Sequence, residues 1–158
     1  MFASLDHLLG GFLGARVLDL FAGSGALGLE AASRGAALVV LVERDRPSAA
    51  VARANAAVVG APGVRVVPAS VAAHLAGQPE PFDVVLADPP YAMDAAEVEA
   101  FLAALTRGWL APGAVVLVER ATRGGDFHWP SGLVALRQRA YGGTTLWYGQ
   151  SASDGEDP

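Results

Sequence analysis

Residues 16–30, RVLDLFAGSGALGLE, restrict the fold more than any other part of the chain. Val17, Leu18, Leu20 and Phe21 form a nearly continuous apolar run broken by one acid, Asp19. Such a run is the signature of a strand buried on both faces. Gly23, Gly25 and Gly28 follow in the spacing G-x-G-x-x-G. Residues without side chains let a ligand approach the backbone, and a helix start offers N–H groups with no partner inside the helix. A strand, a glycine loop and a helix in that order predict a nucleotide-type pocket at a strand's carboxyl end.

The rest of the chain repeats the unit. Phe2, Leu5, Leu8, Leu9 and Phe12 recur at helical spacing, and Gly10, Gly11 and Gly14 break that helix before the first strand. A helix is predicted over 26–34, stopped by Gly35, and a second strand over 38–42, ending at Glu43. Pro47 suits a first helical position, with the helix running over 48–59 to Gly60. A short strand is expected over 64–67, a helix capped by Ser70 over 71–75, and a fourth strand over 82–87. Asp94 stands as a cap three residues before Glu97, ahead of a helix whose inner face carries Val98, Phe101, Leu102, Leu105 and Trp109. Pro112-Gly113 reads as a turn before a fifth strand over 114–119, and 121–132 as a loop. Gly142-Gly143 between two β-rich runs, 133–141 and 144–148, reads as a hairpin.

Alternation of strand and helix means a parallel sheet with helices on both faces, here α/β and Rossmann-like, with seven strands and a C-terminal antiparallel hairpin. One domain over 1–150 is expected, with a polar, acidic and disordered tail from Ser151 to Pro158.

Composition narrows the chemistry. The 158 residues are 53% hydrophobic and 17% charged, as in a soluble globular chain, and no apolar run approaches the roughly 20 residues that cross a bilayer. The absence of cysteine removes disulfides, thiolate metal sites and cysteine catalysis, and agrees with a cytoplasmic location. His7, His74 and His128 are scattered, so no metal site is expected. Net charge is −5, but three acids fall in the tail, which leaves thirteen acids against eleven bases over 1–150. Every base is arginine. A nucleic-acid partner would therefore meet a local basic patch and no general positive surface. Arg120, Arg123, Arg137 and Arg139 are the candidates for phosphate contact.

Two stretches carry chemistry. The glycine loop has an acid twenty residues beyond Gly23, at Glu43, which matches the dinucleotide fingerprint. Asp19 opposes that reading, because a carboxylate before the loop repels a pyrophosphate. It suits a ligand with a cationic amino group, such as S-adenosylmethionine, and Glu43 is placed to accept ribose hydroxyls. The second stretch is Asp88-Pro89-Pro90-Tyr91, at the carboxyl end of the fourth strand and so at the same crevice. Two prolines fix an extended backbone. Asp88 and the Pro89 carbonyl are placed to accept the two N–H bonds of an exocyclic amine, and Tyr91 to stack on an extruded base. Trp109, Trp129 and Trp147 read as packing residues, Trp129 with the best claim to a functional role, and Asn55 as a contact to a neighbouring loop.

DLFAGSGALGLEAASRGA, VERD, FDVVLADPPY and RAYGGTTLWYG together resemble the bacterial RsmD-like family of 16S ribosomal RNA methyltransferases, over roughly residues 2–149. The resemblance implies a class I methyltransferase fold that uses S-adenosylmethionine to methylate a guanine N2 amine in small-subunit rRNA, within the 30S subunit or an assembly intermediate, with the protein a monomer. It implies cofactor contacts from Asp19, Phe21, Ala22, Gly23, Ser24, Gly25, Glu43, Arg44, Ser70, Val71 and Asp88. Asp88, Pro89, Pro90 and Tyr91 would hold the target amine. Family members usually begin with a further N-terminal segment that includes an RNA-contacting hairpin; MFASLDHL resembles the helix after it. Alternatives from the residues alone are another D-P-P-Y amino-methyltransferase of DNA or RNA, a cofactor-binding fragment inactive on RNA, and an NAD-dependent oxidoreductase.

Overall fold

A computed structural model describes residues 1–153. In chain order the elements are α1 (Phe2–Leu9), β1 (Arg16–Leu20), α2 (Ala26–Ser33), β2 (Leu38–Val42), α3 (Arg46–Val59), β3 (Val64–Val67), α4 (Val71–Leu75), β4 (Phe82–Ala87), α5 (Ala95–Leu105), β5 (Leu110–Ala121), β6 (Leu133–Tyr141) and β7 (Thr144–Ser151). The strands form one seven-stranded sheet in the order β3-β2-β1-β4-β5-β7-β6. The first five are parallel, and β7 runs antiparallel to both β5 and β6. The order reverses between β1 and β4, which opens a crevice at their carboxyl ends.

Strict alternation divides the buried residues between two cores. Leu18, Leu20, Val40, Val42, Val85, Val116 and Val118 face α4 and α5, where Leu75, Phe101, Leu102 and Leu105 meet them. Val17, Val39, Leu41, Val84, Leu86, Val115 and Leu117 face the other way, onto Leu5, Phe12, Leu29 and Ala52. Continuous Val/Leu runs are therefore required: both side-chain rows are buried. Asp19, 1% exposed, sits in the second row.

Local chemistry sets the ends. Asp45, Ser70 and Asp94 cap α3, α4 and α5, each side chain accepting an N–H three residues on. Because Asp45 is the cap, Arg46 is the first residue of α3 and Pro47 the second, one place later than the sequence suggests. Strand β5 begins four residues before its expected start, so Pro112-Gly113 lies within it. The sheet absorbs the pair through a register shift beside Phe82 and Val84, and Gly113 N–H is held by the Ala152 carbonyl. Ser151 is the last residue of β7, its hydroxyl bridging Ala111 and Ala114, so the expected disordered tail does not start there. The remainder of that expectation, residues 154–158, lies outside the described residues. Trp109 follows α5 rather than riding on it, stacked on Phe82. Trp129 covers Gly149, where a Cβ would come within 2.6 Å of its ring, so it is a packing residue of β7.

Candidate active site

The register aligns one row across four parallel strands. Leu20 pairs with Val42 and with Ala87, and Ala87 with Val118. The next residue along each strand is Phe21, Glu43, Asp88 and Glu119. Three carboxylates therefore stand at the carboxyl edge, with Asp19 one position below the row on β1.

The glycine loop is tied down by its own amides. Ala22 N–H donates to the Val42 carbonyl at 2.9 Å, and Gly25 N–H to the Ala22 carbonyl at 2.8 Å. Gly23 N–H donates to Glu43 Oε1 at 2.9 Å, and Gly28 N–H to Asp19 Oδ2 at 3.0 Å. Glu43 Oε2 also accepts Asp45 N–H at 2.7 Å, so this side chain joins the loop to the start of α3. Asn55 Nδ2 donates to the Ser24 carbonyl from α3. Gly23 and Gly25 have φ of 58° and 86°, which only glycine adopts without cost. Phe21 also has positive φ, 59°, a sparsely populated conformation for a bulky residue. Its ring packs edge-on against Phe101, 5.5 Å away.

Gly28 serves a different need. A Cβ there would collide with Leu41 and lie 3.0 Å from Val39 Cγ1 and 3.2 Å from Asp19 Oδ2. The missing side chain lets α2 approach β1 closely enough for its amide to reach Asp19. Gly28→Ala is expected to cost about 1–3 kcal/mol of stability through overpacking, measured by chemical denaturation.

Two cavities flank Asp88. The larger, of about 670 Å³, is lined by Phe21, Glu43, Arg44, Ser70, Val71, Asp88 and Pro90, together with Met93 and Glu97. Its size suits a nucleoside-containing ligand. The smaller, of about 180 Å³, is lined by Asp88, Pro89, Pro90 and Tyr91 together with Glu119, Arg120 and Thr144. Tyr91 is 90% exposed. Of the residues expected in the site, Asp19, Ala22, Gly23, Ser24 and Gly25 line neither cavity. Asp19 lies beneath the loop and the other four form it.

The carboxylates sense one another. Burial pushes Asp19 from 3.8 up to about 7, opposed by the Gly28 N–H and helped by the charges of Asp88 and Glu43. Burial also raises Asp88. Glu119 is raised first by burial and then by Asp88, with the chain's amino group opposing. Negative potential thus concentrates where the two cavities meet.

Arg120 corrects a sequence expectation. It is 7% exposed, with its guanidinium donating to the Gly124 carbonyl at 2.7 Å and the Met93 carbonyl at 3.4 Å. It is a clamp between the loop after Asp88-Tyr91 and the loop after β5, and is not an exposed surface cation as a phosphate-contacting arginine would be. Arg123, Arg137 and Arg139 remain exposed, and Arg137 lies over the Tyr148 ring. Glu119, Met93 and Glu97 were missed as site residues. Glu119 carried a usable signal, since it follows the apolar run 114–118 just as Glu43 and Asp88 follow theirs.

A family model described as "Conserved hypothetical protein 95" matches residues 1–150. Over 142 residues the chain is 36% identical to the ribosomal RNA small subunit methyltransferase D of Escherichia coli strain K12, covering 90% of this chain and 71% of the relative. The chain belongs to the RsmD-like family. Among solved structures, the Escherichia coli protein yhhF superposes with a TM-score of 0.86 at 32% identity, over 96% of this chain and 85% of that one. A conserved hypothetical protein of Streptococcus pyogenes superposes with a TM-score of 0.84 at 28% identity, over 96% and 95%. The family's fold is the class I methyltransferase arrangement expected from the motifs, with the antiparallel β7 inserted between β5 and β6. No helix among the described residues is long and apolar enough to cross a membrane.

Proposed function

We infer that this chain is an S-adenosylmethionine-dependent methyltransferase that modifies the exocyclic N2 amine of a guanine in 16S ribosomal RNA. The carrying observation is the juxtaposition of Asp88-Pro89-Pro90-Tyr91 with the acid-lined cavity beyond the glycine loop. Membership in a family that includes a ribosomal RNA small subunit methyltransferase supplies the substrate class.

The donor set suits this cofactor better than a dinucleotide. The loop amides of Ala22, Gly23, Gly25 and Gly28 are spent on protein acceptors, whereas a pyrophosphate site presents such amides to its ligand. The neighbouring carboxylates Asp19, Glu43 and Asp88 favour a cation. When bound, S-adenosylmethionine supplies a methyl group on a positively charged sulfur. Glu43 would take the ribose hydroxyls, each carboxylate oxygen having lone-pair capacity beyond the amide it accepts. Phe21, Ser70 and Val71 would border the adenine, and Arg44 the outer rim. Asp19 would act from below, through the Gly28 amide and its charge.

On the other side, Asp88 and the Pro89 carbonyl would accept the two N–H bonds of the amine. A ring-conjugated amine is a weak nucleophile; holding both hydrogens localises its lone pair and fixes its direction. Pro90 stiffens this support, and the exposed Tyr91 ring offers a stacking face to an extruded base. The chain would act as a monomer, on rRNA within the 30S subunit or an assembly intermediate.

The test incubates the protein with labelled S-adenosylmethionine and either naked small-subunit rRNA or 30S subunits, and digests the RNA to nucleosides. Label in N2-methylguanosine is expected, and sedimentation should give a single chain. Label in N6-methyladenosine, or binding of NADH without methyl transfer, would overturn the reading. Glu43→Ala should weaken cofactor binding by about 1.5–3 kcal/mol in titration calorimetry, the range for hydrogen bonds to a charged group. An unchanged dissociation constant would remove Glu43 from the ribose.

A further inference from the structure

We propose that Glu119 selects guanine, by accepting the N1–H of the target base while Asp88 and the Pro89 carbonyl hold the adjacent N2 amine. The inference rests on the reading of Asp88-Tyr91 as the amine holder.

Glu119 stands one strand over from Asp88 at the same level: Ala87 pairs with Val118, and each acid follows its strand's paired residue. Both acids line the smaller cavity, as do Pro89, Pro90, Tyr91 and Arg120. The carboxylate of Glu119 accepts no hydrogen bond from any described residue. Its nearest sequence candidate for a counter-ion, Arg120, is committed to the carbonyls of Met93 and Gly124. A half-buried carboxylate without a donor is costly to hold in a folded chain. A ligand N–H arriving in the cavity offsets that cost.

The chemistry of the bases says which ligand. In guanine the ring nitrogen beside the exocyclic amine carries a hydrogen, so three N–H bonds project along one edge. In adenine and cytosine the corresponding ring nitrogen carries a lone pair. Asp88 and the Pro89 carbonyl alone would accept any of the three amines. A second carboxylate beside them adds a third acceptor, which matches guanine's third N–H and sets lone pair against lone pair for the other two. Sites built around a hydrogen bond reject analogues that lack the donor far more strongly than apolar pockets reject a changed shape.

The experiment uses 2-aminopurine, which keeps the N2 amine and lacks the N1 hydrogen. The methylated nucleotide is first mapped in 16S rRNA. RNA is then assembled by splinted ligation with guanine or 2-aminopurine at that position and, where needed, reconstituted into 30S subunits. Single-turnover methyl transfer is measured for wild type, Glu119→Gln and Glu119→Ala, alongside S-adenosylmethionine affinity. Comparing the guanine-to-2-aminopurine ratio between proteins cancels the intrinsic reactivity of the two amines. Glu119→Ala should lower the rate on guanine by about 10- to 100-fold, the loss of one hydrogen bond to a charged group. It should barely change the rate on 2-aminopurine, so the ratio collapses by the same factor, and cofactor affinity should hold. Glu119→Gln, which keeps one acceptor oxygen and the side chain's shape, should fall between and is the variant read if the alanine protein does not fold. A ratio equal to wild type in a folded variant overturns the role of Glu119 and leaves the proposed function standing. A wild-type protein that forms no N2-methylguanosine overturns both.

Discussion

Asp88→Ala is expected to lower single-turnover methyl transfer by about 10²–10³-fold, the effect of deleting one fixed polar group aimed at a reacting centre. The melting temperature should stay close to that of wild type. The two halves of this expectation have one cause. Asp88 stands just past the end of β4 and lines both cavities, so its carboxylate is the group that links the cofactor side to the amine side. No described residue donates a hydrogen bond to that carboxylate, and burial holds its pKa above the ordinary value. It therefore contributes nothing to the fold that alanine would forfeit. Removing it relieves a desolvated charge while leaving one hydrogen of the target amine without an acceptor. Asp88→Asn keeps one acceptor oxygen and should retain an intermediate rate. A melt unchanged and a rate unchanged in Asp88→Ala would reject the amine-holding role; a rate lost together with the melt would assign Asp88 to the fold instead.

What could be read from the sequence divides along a physical line. Strands β1, β2 and β4 announce themselves because both side-chain rows are buried, and the acids next to their ends stand out against Val and Leu. Caps at Ser70 and Asp94 are local, each closing a contact within three residues. Features fixed by distant partners were not legible. Arg120 looked like a free charge beside Arg123, but its partners are backbone carbonyls 27 and 4 residues away, which no composition reveals. Pro112-Gly113 looked like a turn because those residues usually make one. Here Gly113 finds its hydrogen-bond partner beyond β7, at Ala152, and the strand continues through. The positive φ of Phe21 is likewise set by the tie between Ala22 and Val42 on the next strand. Glu119 stands out less, because β5 runs on past it to Ala121 and only the pairing of Ala87 with Val118 brings it level with Asp88.

Asp19 should make the stability of the ligand-free protein fall as pH rises from about 4 to about 7. Its folded pKa, about 7, lies above the 3.8 of an ordinary aspartate. Between those values the folded state keeps a proton that the unfolded chain has released, so each step up in pH favours unfolding. The stabilisation is complete below the unfolded value and gone once pH passes the folded one, a change of about 4 kcal/mol. Asp88 and Glu119 are raised in the same direction, so the informative quantity is the difference between wild type and Asp19→Asn. Asparagine keeps an oxygen for the Gly28 N–H, and its extra buried N–H₂ shifts stability by an amount independent of pH. Chemical denaturation from pH 4 to 8 should show a difference that slopes across the window and flattens above it. Cofactor affinity should move the other way. A cation favours the ionised carboxylate, so binding below pH 7 expels a proton and weakens by up to about tenfold for each further pH unit. Calorimetry in buffers of different ionisation enthalpy would count that proton, and Asp19→Asn should release none. The same buried charge would then make the empty protein less stable near neutral pH and the occupied one tighter. If wild type and variant release equal protons on binding, the charge beneath the glycine loop belongs to the fold alone.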